Sequence, residues 1–162
     1  MQTRRTALTM MFVLALAPMG FGSGKKEGKA SISFHLEAPT TDNPKMVSPP
    51  SMAFGKMRSF SRSPVVNLKD VASFVPFPSE AGDGYGLVLT LKPAAVTRLA
   101  AVTNTSAGLW LLTQVNGRIV DGVLIDKEIS DGRLVIWKGV TLADIAVLDA
   151  ELPRTGENGK KK

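Results

Sequence analysis

Residues 109–152 read LWLLTQVNGRIVDGVLIDKEISDGRLVIWKGVTLADIAVLDAEL. Two apolar runs flank Asn116-Gly117, a dipeptide whose residues both tolerate positive φ, which predicts a two-residue hairpin turn of type I′. A third strand is expected over residues 134–138, after the turn signal Ser130-Asp131-Gly132. Thr141 then opens an amphipathic helix over 141–152, with Asp144 three residues on as an approximate capping box. Strand, tight turn, strand, turn, strand and helix make a sheet-plus-helix layer with no recognisable catalytic group.

Upstream, residues 31–37 (SISFHLE) alternate strictly, with Ile32, Phe34 and Leu36 on one face and Ser33, His35 and Glu37 on the other, the pattern of a half-buried strand. Residues 38–50 carry four prolines and read as a loop. Asn67 caps an expected short helix over 67–74, stopped by Pro76 and Pro78. Residues 85–91 (YGLVLTL) form a strand, and Pro93 opens a helix over 93–104 whose Val96, Leu99, Ala100 and Thr103 share one face. Leu142, Ile145, Leu148 and Leu152 supply the apolar stripe of the last helix. Short hairpins instead of long crossovers predict an α+β domain: one mainly antiparallel sheet with two main helices and a short one packed on one face.

The net charge of +6 over 162 residues is unevenly placed. Residues 1–29 carry +4 and residues 153–162 carry +3, so the segment between them is near neutral at −1. A polyanion-binding footprint belongs on the folded surface, so nucleic acid is not expected as a partner. The chain has no cysteine, which excludes disulfides, thiolate nucleophiles, cysteine metal sites and a lipobox anchor. Residues 1–24 read as a signal peptide, with Arg4 and Arg5 before the apolar run 7–19 and small residues at 20–24. That run is short for a bilayer span, so membrane contact is expected only through an uncleaved leader. The expected plan is a signal peptide (1–24), a spacer (25–30), one domain (31–153) and a basic, disordered tail (154–162) in an exported, periplasmic or secreted protein.

The second half resembles the head subdomain of the first periplasmic domain in the SecD/SecF family of protein-export membrane subunits. The likeness runs through LVLTLKPAAVTRLAAVT (87–103), Val115-Asn116-Gly117-Arg118-Ile119-Val120, where the family typically has an Asp-Gly hairpin, and Val123-Leu124-Ile125. It continues in Ile129-Ser130-Asp131-Gly132, Leu134-Val135-Ile136 and Lys138-Gly139-Val140-Thr141-Leu142-Ala143-Asp144-Ile145, so it spans 87–152, and more faintly 31–74. The family couples a proton gradient to movement of the exported chain through several membrane spans. This chain has at most one apolar segment, so that motor action does not carry over. What the resemblance implies is a free-standing, non-enzymatic head-like module that contacts unfolded polypeptide or an envelope protein partner.

The residues themselves offer little chemistry. His35 is the only histidine, beside Glu37 on one strand face, and the rival readings are a small exported hydrolase using His35 with nearby carboxylates, or a structural envelope protein. No nucleophile-elbow motif accompanies it, and an ordinary strand histidine is the reading preferred. Asp121, Asp126, Glu128 and Asp131 lack calcium-loop spacing and read as turn residues. No catalytic, cofactor or metal residue is therefore assigned. Trp110 and Trp137 read as core or sheet-face cover, or as exposed partner contacts. Residues 51–63 (SMAFGKMRSFSRS) interleave Met52, Phe54, Met57 and Phe60 with Lys56, Arg58 and Arg62, the composition of an adaptable protein contact. An edge strand protected by charge reads the same way.

Overall fold

A computed structural model describes residues 29–38 and 43–156. The expected signal peptide, residues 25–28 of the spacer and residues 157–162 of the expected tail lie outside the described residues. The elements in chain order are β1 (Ile32–Ala38), β2 (Ser51–Ala53), β3 (Lys56–Phe60), β4 (Val66–Asn67), a 3-10 turn (Leu68–Asp70), β5 (Val71–Pro78), β6 (Tyr85–Leu91), α1 (Pro93–Asn104), β7 (Trp110–Val115), β8 (Arg118–Leu124), β9 (Arg133–Val140) and α2 (Leu142–Glu151). All ladders between these strands are antiparallel, and with two helices this is an α+β fold.

The strands form two sheets where one was expected. Six strands run in the order β2-β3-β1-β7-β8, with β4 also paired to β1, and three in the order β5-β6-β9. Bulges explain the division. Thr113 pairs with Asp121 and Gln114 with Ile119, leaving Val120 as an additional residue in β8. In β9 the three residues 137–139 stand opposite Gly86 alone. A bulge ends regular pairing and bends its strand, and the two meet here. The Trp137 N–H donates to the Asp121 carboxylate at 2.7 Å, and Gly139, at φ +80°, leaves room for Val120, whose carbonyl oxygen a Cβ would approach to 2.9 Å. A side chain, not a ladder, joins the sheets at this point, and Asp121 sits within a strand, not at the expected turn.

Both sheets and both helices feed one core. Ile32, Phe34, Leu111 and Val115 come from the first sheet, Phe74, Leu87, Leu89 and Ile136 from the second, Ala95 and Leu99 from α1, Ile145 and Leu148 from α2. Each fully buried large side chain contributes about 1.5–3 kcal/mol relative to exposure. Leu142, expected in the apolar stripe, is 65% exposed; the inward position of that first turn belongs to Asp144.

Asp144 is buried and closes a capping box with Thr141. Its carboxylate also accepts from Asn116 Nδ2 at 2.8 Å and from Arg118 Nη2 at 2.5 Å. Asn116, in the β7–β8 turn at φ +49°, exchanges backbone and side-chain hydrogen bonds with Ser31. One carboxylate thus ties the start of α2 to the hairpin tip and the entry of β1. Burial pushes its pKa up, but hydrogen bonds from the Thr141 N–H and hydroxyl and from Asn116, with the Arg118 charge, outweigh burial and hold it below the ordinary 3.8.

The expected helix over 67–74 shrinks to a 3-10 turn with the Asn67 cap in place, because Asp70 returns a bond to the Asn67 N–H and Val71 is already extended. Pro76 and Pro78 lie inside β5, an edge strand, where proline is tolerated. The chain after α2 covers part of that edge: the Phe74 N–H donates to the Pro153 carbonyl and the Thr155 N–H to the Phe74 carbonyl. The expected tail accordingly begins as ordered chain, with Arg154 paired to Asp149 and lying over the Phe74 ring.

Candidate functional site

The six-stranded sheet has an outer face turned away from the core. Strand alternation places Ser33, His35 and Glu37 of β1 there, with Trp110, Leu112 and Gln114 of β7. Pairing adds Ile119, Gly122 and Leu124 of β8. The β2–β3 hairpin, joined to β1 through the pairs Glu37↔Phe60 and Ala38↔Ser59, curls over this face. Its two-residue turn is Phe54-Gly55, at φ +49° and +78°, which brings the Phe54 ring onto Trp110 in a parallel stack with centroids 4.3 Å apart. The space is made by Gly122, where a Cβ would come within 2.1 Å of the Phe54 ring. Arg58 lies over Trp110 at 5.6 Å and pairs with Glu37, whose other carboxylate oxygen accepts the Trp110 N–H at 3.1 Å. Positive φ costs an aromatic residue about 1–2 kcal/mol. The stack returns about 0.5–1.5 and the cation–π contact about 0.5–1 kcal/mol. The Glu37–Arg58 pair tips the balance toward the closed clasp, with desolvation offsetting part of its gain.

The seven residues expected to contact a partner are therefore divided. Met52 and Met57 face each other across the hairpin and are 72% and 61% exposed; Lys56 and Arg62 are also exposed. Phe54, Arg58 and Phe60 turn toward the sheet, Phe60 being buried. The expected loop or edge strand is a hairpin whose alternate side chains have opposite duties.

His35 lines a cavity of about 320 Å³ with Phe60, Arg62, Leu112, Gln114 and Ile119. Its Nδ1 lies 2.8 Å from the Ser61 carbonyl oxygen, which can only accept, so Nδ1 carries the proton; in the neutral ring Nε2 then accepts from the Ser33 hydroxyl at 2.9 Å. The pairing of His35 with a carboxylate that a hydrolase would use is not formed: Glu37 is committed to Arg58 and to the Trp110 N–H. Among the described residues no group of three or more His, Cys, Asp or Glu is placed to hold a metal ion.

A second opening is a groove of about 590 Å³ beyond the bulges, where β8 and β9 diverge. Val123, Ile129, Val135 and Trp137 supply its apolar surface, and Asp126, Glu128 and Arg133 contribute charge. Trp137 is 61% exposed, steadied edge-on by Phe77 at 6.1 Å; Leu124, at the end of β8, is 48% exposed. Asp131 does perform a turn's local duty, accepting the Arg133 N–H at 3.0 Å. Both alternating sets of β9 are apolar, so the sequence left Trp137 between sheet-face cover and exposed contact, and nothing in it marked the groove, which lies beside two separate bulges.

No family model matches the chain, and no curated protein matches it. Solved structures do. One of SecDF, described as a membrane component that enhances protein export, superposes with a TM-score of 0.52 at 15% identity over 75% of this chain and 62% of that one. Another, of SecDF in a super-membrane-facing form, gives 0.50 at 18% identity over 75% of this chain and 19% of that one. The chain thus spans less than two thirds of either, and the likeness is one of fold: a SecD-like domain. Among the described residues no helix is long and apolar enough to cross a membrane.

Proposed function

We infer that this chain is an exported, non-enzymatic polypeptide-binding module related to protein export, acting on unfolded polypeptide or an envelope protein partner outside the cytoplasm. The groove between β8 and β9 carries the reading. Both strands are sheet edges, so beyond the bulges each can offer backbone donors and acceptors to an added strand, while Trp137, Val135 and Val123 take its apolar side chains. The competing edges are less open: β5 contains prolines and is partly covered by residues 153–155, and β2 is three residues long behind Pro49-Pro50. The likeness in fold to SecDF, named for enhancing protein export, supports an extended, unfolded occupant. The engaged state of His35 and Glu37 favours binding over hydrolysis.

The test is fluorescence anisotropy with a permanently unfolded, labelled polypeptide such as reduced, carboxymethylated lactalbumin. Saturable binding is expected, weakened about tenfold by Trp137→Ala, with the thermal midpoint moving by no more than about 2 °C because the ring is largely exposed. Absence of saturable binding by the parent, or indifference to Trp137→Ala, overturns the groove as the site.

A further inference from the structure

We propose that the notch made by the Trp110 ring and the side-chain-free seat of Gly122 is a binding site for an aromatic side chain of an extended polypeptide, held in this structure by the chain's own Phe54. The seat is shaped for a flat ring, since a single Cβ on Gly122 would strike Phe54 at 2.1 Å. The ring lies within 8° of parallel to Trp110. Phe54 holds the first of the two positive-φ positions of its turn, at +49°, a conformation that bulky L residues avoid, so an aromatic residue is presented there at a cost in backbone strain. Two ladder pairs join that hairpin to β1, and the buried Phe60 fixes its base; nearer the tip it is held by the side-chain contacts of Arg58 with Glu37 and Trp110. Lifting the tip would uncover Trp110 beside Leu112 and the already exposed Leu124, an outer-face strip matched to alternate side chains of an extended chain. The self-ligand states the chemistry of what replaces it: a planar apolar ring on extended backbone. A minor state with the hairpin lifted is all that exchange requires. The nature of the incoming chain rests on the polypeptide-binding reading above, but the notch is separate from the groove.

Trp137→Phe leaves Trp110 as the sole tryptophan. In that background, acrylamide quenching of Trp110 is compared with titration of an acetylated heptapeptide that alternates threonine with valine around a central phenylalanine, and of its central-alanine counterpart. Phe54→Ala is expected to raise quenching severalfold and to tighten the phenylalanine peptide about tenfold, with no gain for the alanine peptide. Phe54→Tyr, which refills the notch without adding a tryptophan, should restore the weaker binding. Gly122→Ala, whose Cβ occupies the seat, should expel Phe54 and raise quenching but admit no other ring, and so show no gain. Phe54→Leu, which keeps an apolar side chain at the turn without a flat ring, should share the gain and guards against misfolding of the first variant. If neither Phe54→Ala nor Phe54→Leu gains phenylalanine-selective binding, or if Gly122→Ala gains it, the notch is packing alone and the proposal falls. Parent binding that Phe54→Ala leaves unchanged keeps the groove and removes the notch; a gain at the notch with no groove binding does the reverse.

Discussion

Asp144→Ala is expected to destabilise the protein by about 3 kcal/mol, read as the loss of unfolding free energy in urea at pH 7. Three losses add. The α2 cap loses its reciprocal partner, about 1 kcal/mol. The Asn116 amide, part-buried at 2.8 Å from the carboxylate, is left without its acceptor, about 1–3 kcal/mol. Arg118 loses an ion pair, but its side chain is 50% exposed, so solvent screening leaves that loss below about 1 kcal/mol. For a domain of this size the midpoint should fall by about 10 °C. Because the folded-state pKa of Asp144 is held below the ordinary 3.8, its contribution is fully present above that value and is lost as pH falls through the folded-state pKa. Asp144→Asn, similar in shape and without charge, should therefore flatten the acid limb of the stability profile below about pH 4. A parent and Asp144→Asn that lose stability in parallel below pH 4 would assign that limb to other carboxylates.

Gly86→Ala is expected to cost about 3 kcal/mol or to abolish accumulation of folded protein. The new Cβ would stand 2.2 Å from Phe77 Cζ and 2.6 Å from the Ile136 carbonyl oxygen. The ring can turn aside, but the carbonyl belongs to the β6–β9 ladder and cannot recede without opening it. Gly108→Ala is the control: its φ of +84° is unfavourable to alanine, yet nothing lies within 4 Å, so about 1 kcal/mol is expected. Thermal midpoints of the two variants check the ordering. A Gly86→Ala protein as stable as Gly108→Ala would mean that the bulge opposite Gly86 yields easily.

What could be read from the sequence was what local chemistry decides. Asn116-Gly117, both at positive φ, made the expected hairpin; Thr141 and Asp144 made the box; Pro93 opened α1 and Ile32, Phe34 and Leu36 faced inward. Long-range matters escaped. Pro76 and Pro78 say only that regular pairing on one side fails, which a helix stop and an edge strand both satisfy. Asp121 looked like a turn residue because its use depends on β9 arriving beside it. The second sheet could not be foreseen because additional residues in β8 and β9 are visible only once partners are known. Of the seven residues in the Met-rich segment, alternation could separate Met52 and Met57 from Phe54, Arg58 and Phe60 only after Gly55 was recognised as half of a tight turn.

The junction at Asp121 and Trp137 has a mechanical consequence. Each sheet is stiff within its own ladders, but where they meet they share a carboxylate and a close backbone approach at Gly139. Tension that drew the two strands apart there would meet no run of ladder hydrogen bonds, so resistance to widening the angle between the sheets rests on that one carboxylate contact and on the core they share.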